Sequence, residues 1–171
     1  IIQFTFPTGY IQRPVKREKR GRKMIGLLLT GHDQFACGLL SAVNMVAGSQ
    51  SLIKALSFED HHAATYPSEL HTAIESLRAE ANGVIVLTDF MGGTPWNQAM
   101  IATQDFSDVA VVAGVNVPML LNTLDYREAD YSLDDMVEEL IAAGKDGVIH
   151  RNLSRQRAVE HEDSSEKGEG I

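Results

Sequence analysis

Two apolar runs in this 171-residue chain end on residues that can work together. The run from Met24 through Thr30 and Gly31 closes on His32, and the run from Gly83 through Thr88 closes on Asp89. In an open α/β sheet, groups at the carboxyl ends of neighbouring parallel strands converge on one crevice. A carboxylate that accepts from one imidazole N–H fixes the tautomer, which leaves the other ring nitrogen with a free lone pair. An ordinary imidazole, with a pKa of about 6.5, is mostly neutral near pH 7 and can attack an electrophile. Phe90-Met91-Gly92-Gly93-Thr94-Pro95 follows Asp89 at once. A glycine turn that opens a helix presents unpaired N–H groups and the positive end of the macrodipole to an anion. Histidine, carboxylate and anion-binding turn together describe a side chain that carries a phosphoryl group. Each part also has a plainer role: a structural histidine, a helix cap at Asp89, a tight turn at the glycine pair.

The elements that would position these groups alternate strand and helix from Met24 onward, the pattern of an α/β domain with a mostly parallel sheet. Residues 25–29 form a continuous apolar run, as expected of a strand covered on both faces. Phe35, Leu39, Val43 and Ala47 recur at four-residue spacing on the next helix, which Gly48 ends. Residues 52–58 read as the second strand. Tyr66-Pro67 starts a helix with the stripe Leu70, Ile74, Leu77 and Ala81. Residues 83–87 form the third strand, residues 95–103 the helix behind the glycine turn, and residues 109–113 the fourth strand. Pro95 suits a first helical position, where its missing N–H has no partner to lose. Gly114 to Pro118 turns into residues 119–124. Ser132 caps a last helix that buries Leu133, Met136, Val137, Leu140 and Ile141. Val148 to His150 reads as a short final strand.

Composition sets bounds. With 44% hydrophobic and 22% charged residues, the chain is ordinary for a globular domain and long enough for a real core. The single cysteine, Cys37, excludes a disulfide framework, and no stretch reaches the roughly 18 apolar residues that span a bilayer. No signal-peptide pattern opens the chain, and these features fit the cytoplasm. Charge is unevenly spread. Residues 1–23 carry seven Lys/Arg and one Glu, residues 24–150 four against 17 acids, and residues 151–171 four against five. The acidic body argues against binding a nucleic-acid backbone. Residues 1–23 begin with Ile and Met24 stands at the start of the first strand, so they are read as a disordered or extraneous basic leader, in preference to a nucleic-acid or membrane arm. Residues 24–150 are the domain, and residues 151–171 a polar disordered tail.

Other candidates carry less. His61, His62 and His71 match no strong zinc spacing and read as surface residues, so no metal and no cofactor is expected. Cys37 reads as a packed helix residue. Phe90 and Trp96 flank the glycine turn as core or as an apolar docking rim. No P-loop, Gly-x-Gly-x-x-Gly or Gly-x-Ser-x-Gly occurs, which leaves nucleotide binding and serine hydrolysis unsupported.

Three segments together resemble one known family. They are Leu-Thr-Gly-His32-Asp-Gln-Phe-Ala, Leu-Thr-Asp89-Phe-Met-Gly-Gly-Thr94-Pro-Trp-Asn97 and Ala-Gly114-Val-Asn116-Val-Pro118-Met119-Leu. Collinear over residues 24–150, they resemble the mannose-type enzyme IIA components of the bacterial sugar phosphotransferase system. The histidine turn and its Phe-Ala look closest to N-acetylgalactosamine- or galactosamine-type members. The resemblance implies a doubly wound sheet in the order 2-1-3-4, with helices on both faces. It also implies a homodimer that exchanges a short C-terminal antiparallel strand, here around Val148–His150. It implies a phosphocarrier in which His32 takes the phosphoryl group from phospho-HPr and passes it to IIB, for sugar delivered by the membrane components IIC and IID. By motif position Asp89 is the partner of His32, with Gly92, Gly93 and Thr94 at the phosphoryl group. No IIB domain follows, so IIB is expected on a separate chain. Two other readings stay open: the phosphocarrier subunit of dihydroxyacetone kinase, and a flavodoxin-like binding module in which His32 and Asp89 are structural.

Overall fold

The computed structural model describes residues 24–127, 131–150 and 152. The readings made for residues 1–23 and for the tail after His150 fall outside these residues, Asn152 apart. Four strands form one parallel sheet: β1 (Gly26–His32), β2 (Ile53–Phe58), β3 (Val84–Thr88) and β4 (Val109–Ala113), in the order β2-β1-β3-β4. The helices are α1 (Phe35–Ala47), α2 (Tyr66–Arg78), α3 (Thr94–Thr103), α4 (Val117–Tyr126) and α5 (Leu133–Asp146). A short 3-10 turn, Asp60–His62, precedes α2. The doubly wound α/β architecture and the strand order agree with the sequence reading.

Side-chain alternation explains the two-sided burial. Leu27, Leu29, Ile85 and Leu87 face one core, shared with Val43 of α1, Leu120 of α4 and Leu140 of α5. Leu28, Val84 and Val86 face the other, against Leu70, Ile74 and Leu77 of α2 and Ala99 of α3. A strand buried on both faces has no room for a polar period, which is why β1 and β3 read as unbroken apolar runs. The chain leaves β1 through α1 on one face and reaches β3 through α2 on the other. The carboxyl ends of β1 and β3 therefore flank the switch point of the sheet, where such folds open a crevice.

Local differences have local causes. The ladder to β2 continues through the pair His32–Phe58, so β1 runs to His32 itself instead of stopping at Leu29. The buried stripe of α1 is Ala36 and Val43, with Leu39 and Leu40 half-buried; Phe35 and Ala47 are exposed. A strict four-residue spacing drifts around a 3.6-residue helix, so its two ends leave the core. Cys37 is exposed, not packed, because it lies one position past Ala36 on the outward side of α1. Asn116 caps α4, accepting from Met119 N–H at 3.0 Å, which starts that helix at Val117 rather than Met119. Ser132 caps α5 as expected, accepting from Asp135 N–H at 3.1 Å. Val148 and Ile149 stand exposed beyond α5, and Val148–His150 joins no strand of this chain among the described residues.

Candidate functional site

The register of β1 against β3 ends at the pair Thr30–Thr88, and His32 and Asp89 lie just beyond it. His32 Nδ1 lies 2.7 Å from Asp89 Oδ2, and the same oxygen accepts the backbone N–H of His32 at 2.9 Å. Asp89 Oδ1 accepts the Phe90 N–H at 2.8 Å. The carboxylate is thus pinned by three donors and caps no helix, since Gly93 holds the N-cap position of α3. Burial alone would raise its pKa. The His32 N–H, the imidazole and the Phe90 N–H outweigh that and hold it below the usual carboxylate value.

The imidazole is held by contacts as well. Phe90 stacks on it, with centroids 4.9 Å apart and planes within 10°, and Phe58 meets it edge-on at 5.6 Å. Beneath, Phe58 packs edge-on against the buried Tyr66 at 5.0 Å. The Tyr66 hydroxyl pairs with Thr30 Oγ1 at 2.6 Å, and Thr30 donates to the carbonyl of Leu56 at 2.7 Å. Burial pushes the Tyr66 hydroxyl up to about 12, so it stays protonated as the donor to Thr30. The hydroxyls of Thr30 and Tyr66 beneath the ring are thus neutral and hydrogen-bonded. With Nδ1 held by Asp89, Nε2 is the ring nitrogen available to a reactant. The His32 side chain is 40% exposed and that of Asp89 only 10%, so the imidazole is open to a partner while its orienting group is shielded.

The glycine turn closes on the same ring. A Cβ at Gly93 would lie 2.9 Å from His32 Cε1 and from two ring carbons of Phe90, so only glycine lets the backbone approach this closely. Gly92 has φ +88°, a left-handed conformation that favours glycine. Thr94, at the first position of α3, is exposed, and the first turn of a helix leaves N–H groups without intrahelical partners. Gly93→Ala is expected to displace the stacked rings. Overpacking costs about 1–3 kcal/mol, and displacing the imidazole should also slow any reaction at its ring nitrogen. Denaturant unfolding and the rate of His32 modification check the two effects separately.

The structure brings His32, Asp89 and Gly93 together, with Gly92 and Thr94 on the same turn. His71 lies apart, beside Phe106 at 6.0 Å between ring centroids. His61 and His62 sit on the turn after β2. Phe90 proves to be a stacking partner of the imidazole and half exposed, so it belongs to a rim and not the core. In the sequence pattern Phe58 is no more than the end of the second strand. Its pairing with His32 across β1 and β2 is a register property that no linear pattern displays.

Comparison with known proteins points to one family. A family described as PTS system fructose IIA component matches residues 26–141. The chain is 32% identical over 124 residues to the PTS system mannose-specific EIIAB component of Escherichia coli K12, covering 72% of this chain and 38% of that protein. It is also 32% identical over 120 residues to the PTS system fructose-specific EIIA component of Bacillus subtilis, covering 70% of this chain and 81% of that one. The crystal structure of phosphotransferase system component EIIA from Streptococcus agalactiae superposes with a TM-score of 0.65 at 26% identity, covering 74% of this chain and 97% of the other. With the parallel sheet in the order 2-1-3-4 and a family match across both β1 and β3, the chain belongs to the mannose/fructose-type enzyme IIA family of the sugar phosphotransferase system.

Proposed function

We propose that this chain is the phosphocarrier component of a sugar phosphotransferase system, taking a phosphoryl group from phospho-HPr on His32 and passing it to a IIB component. The observation that carries this reading is the 2.7 Å contact between His32 Nδ1 and Asp89 Oδ2 at the switch point of the sheet. Asp89 accepts the Nδ1–H, so the lone pair of Nε2 attacks phosphorus in line. The new Nε2–P bond forms as the N–P bond of the donor breaks, and the electron pair of that bond returns to the donor's imidazole. The Nδ1 proton stays where it is, hydrogen-bonded to a carboxylate that stabilises the positive charge growing on the ring. The N–H groups around Gly92, Gly93 and Thr94 face the phosphoryl oxygens at the start of α3. Positioning and electrostatics supply the rate, and no step calls on a metal.

Phe35, Phe90 and Met91 are exposed apolar residues close to His32 in sequence or in space, a collar suited to excluding water when a carrier protein docks. Downstream, IIB would phosphorylate sugar delivered by membrane IIC and IID components, with this carrier in the cytoplasm. No helix among the described residues is long and apolar enough to cross a membrane. We assign the homodimer strand to Val148–His150, whose apolar side chains Val148 and Ile149 are exposed.

Discharge of the phosphorylated protein tests the pathway. Phosphate should pass to a IIB component of the mannose type and not to the dihydroxyacetone kinase subunits. Transfer to the kinase alone would move the chain to that system. A chain that never becomes phosphorylated would be a binding module of this fold.

A further inference from the structure

We propose that Glu59, His61 and His62 form a binding site for one divalent metal ion of the zinc class, on the turn that leaves β2 beside the histidine site. The sequence sets Glu59 and Asp60 directly before the two histidines, and the fold brings Glu59 to them. Glu59 is the extended residue before the 3-10 turn, and the His62 N–H donates to the Glu59 carbonyl at 2.9 Å. That bond closes the turn and folds the chain back, so the side chains of Glu59, His61 and His62 share one small region of the surface.

The geometry fits an ion of that class. One donor atom from each of the three side chains can be chosen so that all lie within 4.8 Å of one another. Glu59 Oε2 and His61 Nδ1 are 3.4 Å apart. Two ligands on a tetrahedral zinc, each about 2.0–2.1 Å from the metal, stand roughly 3.3–3.4 Å apart. The two imidazole centroids are 3.9 Å apart, so small rotations of exposed side chains bring the third donor in. Two imidazoles and one carboxylate suit zinc, nickel or copper, whereas magnesium and calcium demand oxygen donors throughout. The fourth position faces solvent.

The turn itself is well fixed. Thr65 N–H and Thr65 Oγ1 both donate to the His62 carbonyl, at 3.0 and 3.2 Å. Phe58, the residue before Glu59, is the edge-on neighbour of His32, and Gln34 Nε2 approaches Glu59 Oε1 at 3.5 Å. The ion would therefore sit on the rim of the phosphoryl site without sharing a ligand with it.

The test is titration of the full chain with zinc ions against a chromophoric chelator. One equivalent should bind, and His61→Ala, His62→Ala and Glu59→Gln should each weaken it at least about tenfold. His71→Ala and His32→Ala should leave the affinity unchanged. In the unaltered protein, histidine ring NMR signals of His61 and His62 should move on zinc addition while that of His71 stays. Retention of full affinity in a His61→Ala/His62→Ala double variant overturns the proposal, as does an absence of zinc-dependent shifts at those two rings.

Discussion

Replacing His32 with alanine is expected to abolish phosphoryl uptake from phospho-HPr while the fold survives. The loss should be complete because, in the proposed transfer, Nε2 of this ring is the atom that attacks phosphorus. The fold survives because the Asp89 carboxylate keeps two of its three donors, the backbone N–H groups of residue 32 and Phe90. What is lost is one charge-assisted hydrogen bond, worth about 1.5–3 kcal/mol, and the stacking of Phe90. Mass spectrometry at alkaline pH, which preserves the N–P bond, should find one phosphoryl group on the peptide bearing His32 and none in the variant. Equal labelling of the two proteins would remove His32 from the reaction. A variant that fails to fold would show itself in circular dichroism before the labelling is read.

Asp89→Ala should slow phosphorylation roughly 10²-fold or more, through loss of tautomer control and of the charge that steadies the developing imidazolium. It also strips the part-buried His32 N–H of its acceptor, and an unsatisfied buried donor costs about 1–3 kcal/mol, whereas the exposed Phe90 N–H can turn to water. The two effects separate experimentally: the first appears in the rate of labelling, the second in the denaturation midpoint. Asp89→Asn keeps an acceptor of the same size without the charge, so it should recover stability more fully than rate.

The pH dependence of that stabilisation has a definite sign. The folded pKa of Asp89 lies below the ordinary 3.8. The contribution of the ionised carboxylate is therefore complete above that value and is lost as pH falls through the lower folded one. Near neutral pH the Asp89 charge is constant.

Much of this protein was determined by its sequence. The unbroken apolar runs of β1 and β3 can be satisfied only by a sheet covered on both faces, and that requirement imposes alternating helices. Local chemistry fixed the rest of the outline: Gly48 after α1, Ser132 before α5, and the glycine pair at the head of α3 are signals read from a few neighbouring residues. Placing His32 and Asp89 at strand ends also needs only the one-dimensional pattern.

Tertiary structure decided what touches what. Residues 32 and 89 meet because β1 and β3 are neighbours in a register that aligns Thr30 with Thr88, and register is a property of the whole sheet. The stacking of Phe90, the edge of Phe58 and the closeness of Gly93 all follow from that alignment. The α1 stripe shifted to Ala36 because the helix must face a core whose direction the sheet sets, leaving Phe35 and Cys37 outside. Glu59 meets His61 and His62 because the chain turns back after β2, with the His62 N–H donating to the Glu59 carbonyl. Sequence pattern records how each segment meets water, but a contact between distant segments depends on how those segments are packed against one another.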